Sequence, residues 1–301
     1  MAGNSQNLIV PINLGIIGYG FVGQAVANGF KTVSNGLDTI RWYDKFKDGE
    51  SLEKVILASD FIFVCLPTPM KQDESGIDLS IFENMMPQIT RLTNNTDEQS
   101  SSSSKIIIIK STVTPGTTLK FQKKFPKSKF CFNPEFLTEA NFLDDFLNAE
   151  RTVLGADSDL VLRTVGVIFK QRFPKQKIFF TDPTTAETVK YFANAYLSMK
   201  VTFANFFYDY CQKLGIKYEE VKKMAAYDHR IGDYHLEVTT SRGFGGKCFP
   251  KDLVAIMGEF KKLGVDYSLL ETMWKYNKKI RKVHDWQEIP FAVEGNHKIK
   301  K

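Results

Sequence analysis

A strand-like run, Ile12-Asn13-Leu14-Gly15-Ile16-Ile17, leads directly into Gly18-Tyr19-Gly20-Phe21-Val22-Gly23 and then into a helical stretch reaching about Phe30. No other part of the chain restricts the fold as much, because G-x-G-x-x-G is informative only between a buried strand and a helix. Gly18 would make the tight turn, Gly20 would admit a pyrophosphate, and Gly23 would let helix and strand pack closely. Phe21 and Val22 would open the helix, whose N-terminal amides face the phosphates. The next strand, Thr39 to Tyr43, ends in Asp44, where a carboxylate accepts the ribose hydroxyls of NAD and repels the phosphate of NADP. Lys45 and Lys47 follow closely, and NAD is the expected cofactor.

The alternation of short apolar runs and helical stretches continues, which predicts a doubly wound parallel sheet. Phe61 to Leu66 ends at Pro67-Thr68-Pro69, so Thr68 and Pro69 should line the cofactor side at the carboxyl end of a strand. Cys65 inside that run reads as a buried apolar residue. A helix is expected over Leu79 to Leu92. Asn94 to Ser104, with its consecutive serines, is too poor in apolar residues to fold and reads as a mobile surface loop. Ile106 to Ile109 is a further buried strand, and Thr112 beyond it is either a hydroxyl in the site or a helix cap. Lys129-Phe-Cys-Phe runs into Asn133-Pro134-Glu135-Phe136-Leu137-Thr138-Glu139, where the spacing of Glu135 and Glu139 fits one face of a helical turn. Thr152 to Gly155 and Lys177 to Phe180 complete the sheet.

Thr184-x-x-Glu187 has the pattern of a capping box opening a long helix to about Lys213. Its aromatics (Tyr191, Phe192, Tyr196, Phe203, Phe206, Phe207) recur at helical spacing, as core or dimer-interface residues do. Lys190 and Asn194 lie four apart on one face, either a surface pair or a functional one. After the next helix, Asp228 to Gly232 forms a turn in which Arg230 either binds an anion or is solvated.

Gly243-Phe244-Gly245-Gly246-Lys247-Cys248-Phe249-Pro250-Lys251-Asp252 then delivers one cysteine to the mouth of a helix expected over Leu253 to Leu263. Pro250 suits a first helical turn. Amide donors at the helix end, with Lys247 and Lys251 beside it, favour the thiolate of Cys248, which reads as a nucleophile. A further helix is expected from about Leu269 to His284.

Composition excludes several classes. The net charge of +6 comes from lysines scattered along the chain, with mild clusters at 120–129 and 275–301. That distribution suits a solvated face or small phosphate-bearing molecules rather than nucleic acid. Four cysteines in 301 residues form no disulfide framework, which fits a reducing, cytoplasmic setting. The start lacks a basic region followed by an apolar core, so no signal peptide is expected, and no apolar run is long enough to span a bilayer. The four histidines have no metal-ligand spacing with cysteine, so no metal is expected.

Taken together, Gly18–Gly23, Asp44, the Thr68-Pro69 loop, Lys110-Ser111-Thr112, Asn133–Glu139, Lys190/Asn194, Arg230-Ile231-Gly232 and Gly243–Asp252 resemble, in order, the motifs of the UDP-glucose/GDP-mannose dehydrogenase family. The resemblance implies a Rossmann-type NAD-binding domain (residues 1–183), an all-helical central and dimerisation domain (184–285) and a polar tail (286–301). It implies oxidation of a nucleotide sugar at C6 to the uronic acid, with UDP-glucose as the commonest family substrate. Cys248 would form a thiohemiacetal and then a thioester. Lys190 and Asn194 would stabilise the oxyanion, Asp252 would act as base, and Glu135 and Thr112 would handle the proton or water of hydrolysis. Glu139 would lie near the nicotinamide. Phe136, Leu137, Phe244 and Gly245 would contact the substrate, and Arg230 would reach the partner site of a homodimer.

The chain departs from the family in Ala140, where glycine is usual, in Lys247, where a small residue is common, and in the serine-rich insertion. Family members also continue into a second nucleotide-binding domain, which residues 285–301 are too few to build. Two other readings therefore stand beside the first. One is a two-electron dehydrogenase of the β-hydroxyacid type; the other is an NAD-binding dimer with little turnover that serves as an interaction or regulatory subunit.

Overall fold

In the computed structural model, residues 10–97 and 105–296 are described, and they divide into two compact units. The first unit holds Met1–Thr68 and Leu79–Lys190, and the second holds Pro69–Asp78 and Tyr191–Lys301.

The first unit is built on a seven-stranded sheet of β1 (Asn13–Ile17), β2 (Thr39–Tyr43), β3 (Phe61–Val64), β4 (Ile106–Ile109), β5 (Lys129–Phe132), β6 (Arg151–Gly155) and β7 (Lys177–Thr181). Its order is β2-β1-β3-β4-β5-β6-β7, and every neighbouring pair is parallel except β5 and β6, which meet antiparallel at Phe132 and Gly155. The chain winds outward in both directions from β1, so a crevice opens at the carboxyl ends of β1 and β3.

Both faces of the sheet are covered. Successive side chains of β3 alternate between them: Phe61 and Phe63 join Leu14, Ile16, Phe30, Ile108 and Phe169 on one side, while Ile62 and Val64 join Ile17, Phe82, Met86, Ile109 and Phe121 on the other. The first layer is contributed by α1 (Phe21–Val33), α5 (Phe142–Leu147) and α6 (Asp159–Arg172). The second comes from α2 (Leu52–Leu57), α3 (Ser80–Asp97) and α4 (Thr117–Lys124). Phe30 of α1 sits fully buried among Phe63, Phe169 and Phe173, with ring centroids 5.4–5.7 Å away. Burying a ring of this kind contributes roughly 1.5–3 kcal/mol. Arg172 of α6 donates to Asp38 through Nε (2.8 Å) and Nη2 (2.6 Å), both side chains being fully buried.

The helix α7 (Pro183–Leu214) begins in the first unit and continues in the second. There it is joined by α8 (Tyr218–Ala226), α9 (Cys248–Lys262), α10 (Ser268–Ile280) and a 3-10 turn, Asp285–Gln287. The core of the second unit contains Met70, Phe244, Leu253, Val254, Met273, Trp274, Trp286 and Ala292. Pro69–Asp78 is an excursion that belongs to this core: Met70 N–H donates to Ala292 O (2.9 Å), Glu294 N–H to Met70 O (2.7 Å), and Trp274 Nε1 and Lys278 Nζ both donate to Glu74.

Several local expectations change. The segment read as a polar tail contains Trp286, which is buried between Trp274 (5.2 Å) and His284 (4.7 Å). One indole buries enough surface to dock a stretch whose average composition is polar. The helix expected from Leu253 starts five residues earlier, at Cys248, because a proline in a first turn breaks no hydrogen bond. Thr184 and Glu187 form no capping box. Asp182 caps α7 by accepting from Thr185 N (2.9 Å), and Glu187 points elsewhere. Asn133–Ala140 has no helical turn, so Glu135 is buried while Glu139 is exposed. Thr112 is not a helix cap, since α4 is capped at Gly116. Of the serine-rich segment 94–104, residues 94–97 belong to α3 and 98–104 lie outside the described residues.

Candidate active site

The first unit gathers one set of sequence-singled residues at the carboxyl ends of its strands. Gly18 ends β1 at φ +92°, and a Cβ there would stand 2.6 Å from Cys65 O, so the turn closes only without a side chain. Gly20 precedes α1 with no side-chain cap on the helix, and a Cβ placed on it would meet nothing within 4 Å. Amide donors facing open space fit a pyrophosphate. Phe21 and Val22 form the first helical turn, and Gly23 packs over Gly18 O. Asp44, just past β2, accepts from Tyr19 N (2.8 Å) through Oδ2 and from Phe46 N (2.8 Å) through Oδ1, which leaves lone pairs for ribose hydroxyls. Lys47 Nζ donates to Tyr19 O (2.6 Å), and the Tyr19 ring stacks on Trp42 at 4.2 Å. The donor set fits a dinucleotide with an unmodified ribose.

Thr68, at the end of β3, donates through Oγ1 to Thr112 O (2.8 Å), joining the loops that follow β3 and β4. Pro69 is the first residue of the excursion counted with the second unit. Lys110 is buried beneath these loops; its Nζ donates to Asn133 Oδ1 (2.8 Å), and Asn133 Nδ2 donates to Val153 O (2.9 Å). Burial pushes the Lys110 ammonium down to about 8. Glu135 is held at both oxygens. Oε1 accepts from Lys190 Nζ (2.7 Å) and Oε2 from Leu137 N (2.8 Å), with both charged side chains almost wholly buried. Phe136 lies under Arg151, 4.4 Å from its ring centroid, and under Lys190 at 5.8 Å.

Sequence reasoning missed Glu187 as part of this set. It is fully buried and accepts from Gly116 N (2.5 Å), Thr118 N (2.8 Å) and Thr118 Oγ1 (2.6 Å) at the start of α4. Burial pushes its carboxyl up to about 7 against the pull of those donors. Its position one turn before Lys190 on α7 was the available signal.

The second unit gathers the rest. Cys248 is the first residue of α9 and half-buried. Asp252 follows one turn later on the same face and is buried. Its carboxylate accepts from Asn194 Nδ2 (2.5 Å) and from Lys251 Nζ in a short contact. Asn194 and Lys251 are buried as well, so thiol, carboxylate, amide and ammonium share one small region. Lys251 was read only as a charge beside the cysteine. The Phe244 ring enters the apolar core, leaving only its main chain and that of Gly245 at the turn. Arg230 is exposed on the loop after α8, in a two-point pair with Asp228 (Nε–Oδ1 3.0 Å, Nη2–Oδ2 2.5 Å). Among the described residues no group of three metal-ligating side chains converges, and no helix is long and apolar enough to cross a membrane.

Comparison with known proteins bears on both sets. Residues 37–172 match the NAD binding domain of the UDP-glucose/GDP-mannose dehydrogenase family, and residues 184–279 match its central domain. A UDP-glucose 6-dehydrogenase of Campylobacter jejuni is 31% identical over 234 residues, 77% of this chain and 56% of that protein. One of Haloferax volcanii is 32% identical over 72% of this chain and 51% of its own length. The chain thus spans about half the length of the curated relatives it matches. A UDP-glucose dehydrogenase structure from Pyrobaculum islandicum shares the fold, with TM-score 0.77 at 24% identity over 92% of this chain and 70% of that one.

Proposed function

Because the chain belongs to the UDP-glucose/GDP-mannose dehydrogenase family and carries its NAD binding domain, we propose that it oxidises the C6 carbinol of a nucleotide sugar to the uronic acid, UDP-glucose being the first substrate to test. The observation that carries this reading is Cys248 at the first turn of α9, one turn from the buried Asp252–Asn194–Lys251 set.

NAD supplies a two-electron acceptor for each of two hydrides. In the first step the C6–OH proton passes to a base, for which Asp252 is the assigned group, and the carbon loses a hydride to become an aldehyde. The Cys248 thiolate adds to that carbonyl carbon, forming the C–S bond of a thiohemiacetal. Lys190 and Asn194 supply N–H donors to its oxygen. Loss of a second hydride gives a thioester. Water then adds to the acyl carbon, the C–S bond breaks, and the thiolate returns as the carboxylate forms. Glu135 and Thr112 are assigned to the water, Glu139 to the nicotinamide end, and Phe136, Leu137, Phe244 and Gly245 to the substrate.

We infer also a homodimer built on α7. Phe192, Tyr196, Phe203, Phe206, Tyr210 and Leu214 are exposed at 49–74% and recur every three, four or seven residues, so they form one apolar stripe. Arg230 is the residue assigned to cross into the partner's site.

Absorbance at 340 nm with a panel of UDP- and GDP-sugars tests the reaction. Two NADH per uronic acid support it. One NADH per product would replace it with a two-electron dehydrogenase, and NAD binding without NADH would leave a dimer that binds NAD without turnover.

A further inference from the structure

The backbone that carries Cys248 is held by side chains distant in sequence. Asn277, buried in α10, accepts from Phe244 N–H through Oδ1 (2.8 Å) and donates through Nδ2 to Phe244 O (2.9 Å). Both polar groups of one residue are thereby satisfied by one side chain, as a neighbouring strand would satisfy them. A primary amide presents the required donor and acceptor in one fork without having to take up a proton. Around it, Asn205 Oδ1 accepts from Gly243 N (3.1 Å) and Asp285 Oδ2 from Gly246 N (3.0 Å), while Arg281 joins Arg242 O (2.8 Å) to Asp285 Oδ1 (3.0 Å). The fit is tight: a Cβ on Gly243, at φ +53°, would stand 2.2 Å from Asn277 Oδ1. Phe244 anchors the same point from the other side, its ring buried 6.2 Å from Trp274. Two residues beyond Gly246 the thiol begins α9.

We propose that Asn277 is a positioning residue for Cys248, its amide fixing the Phe244 backbone and hence where the first turn of α9 presents the thiol. Its consequence for turnover rests on the reaction given above, whereas its effect on the thiol does not.

The experiment therefore reads the thiol directly. Asn277→Leu keeps the approximate size with neither donor nor acceptor, and Asn277→Ala removes the side chain and both contacts. Iodoacetamide alkylation of each cysteine is followed by peptide mass spectrometry on the intact chain. Cys131 and Cys211, buried and on other elements, report global opening in the same sample. Freed from the clamp, the turn opens locally, and Cys248 is alkylated faster by about threefold or more in both variants while Cys131 and Cys211 stay as protected as in the wild type. The proposal is overturned if Cys248 changes by less than about threefold, or if all three thiols rise together, since Asn277 would then serve only general stability.

Discussion

The turn Gly18–Gly23 takes its glycine geometry from its own strand and the neighbouring strands, with only Tyr19 held by nearby side chains, Asp44 and Lys47, whereas Arg242–Gly246 takes its shape from amide, carboxylate and guanidinium groups on α7, on and just after α10, and on the 3-10 turn. At the first, Gly18 N donates to Tyr43 O (2.8 Å) and Cys65 O leaves no room for a Cβ. At the second, the partners of Phe244 and Gly246 are side chains 33 and 39 residues away. A backbone-built turn is as rigid as its sheet. A turn built by side chains can be loosened at one residue without disturbing the fold around it. Under the proposed function that difference would suit a diphosphate cradle, which needs only fixed amides, and a nucleophile, whose exact placement is set separately.

The largest effect that would break this contrast concerns chemistry. Cys248→Ala is expected to remove uronic acid formation by a factor of about a thousand or more, with NAD binding retained, as calorimetry and product analysis would reveal. If acid still forms at a comparable rate, the second turn carries no nucleophile.

Stability comes next. Gly18→Ala should cost about 2–4 kcal/mol in urea unfolding, through its positive φ and a clash with backbone that cannot move aside. Gly243→Ala should also destabilise, but its clash is with the end of a side chain. Combining it with Asn277→Ala should therefore give a coupling of about 1 kcal/mol in a double-mutant cycle. Strict additivity would mean that the second turn is backbone-built after all.

The first unit also has fastenings of the second kind, and pH exposes the one made by Glu187 against Gly116 and Thr118. Its folded-state carboxyl lies near 7 against an ordinary 4.5, so the folded chain holds that proton more tightly than the unfolded chain does. Its contribution is complete at pH values below the ordinary carboxyl range and is lost as pH rises through 7, by up to about 3 kcal/mol. Thermal unfolding of Glu187→Ala should show a flatter pH 4–8 profile than the wild type; parallel profiles would remove Glu187 from this role. At the first turn, Asp44→Ala should weaken NAD about tenfold in calorimetry, or roughly 1.4 kcal/mol, by loss of ribose acceptors and of the Tyr19 contact.

The sequence by itself determined the strand–glycine–helix entry, the parallel sheet, the acidic end of β2 and the cysteine at a helix mouth. These follow from period-two and period-3.6 patterns and from the steric demands of glycine, which act over a few residues and are the same in any chain. Only the tertiary structure decided that Lys110 lies buried against Asn133, that Glu187 leaves its own helix to hold another, that Glu135 and Glu139 part company, and that Asn277 and Asp285 hold the cysteine turn. A polar side chain carries no record of its partner until packed helices and strands exclude water and leave it one donor or acceptor within reach.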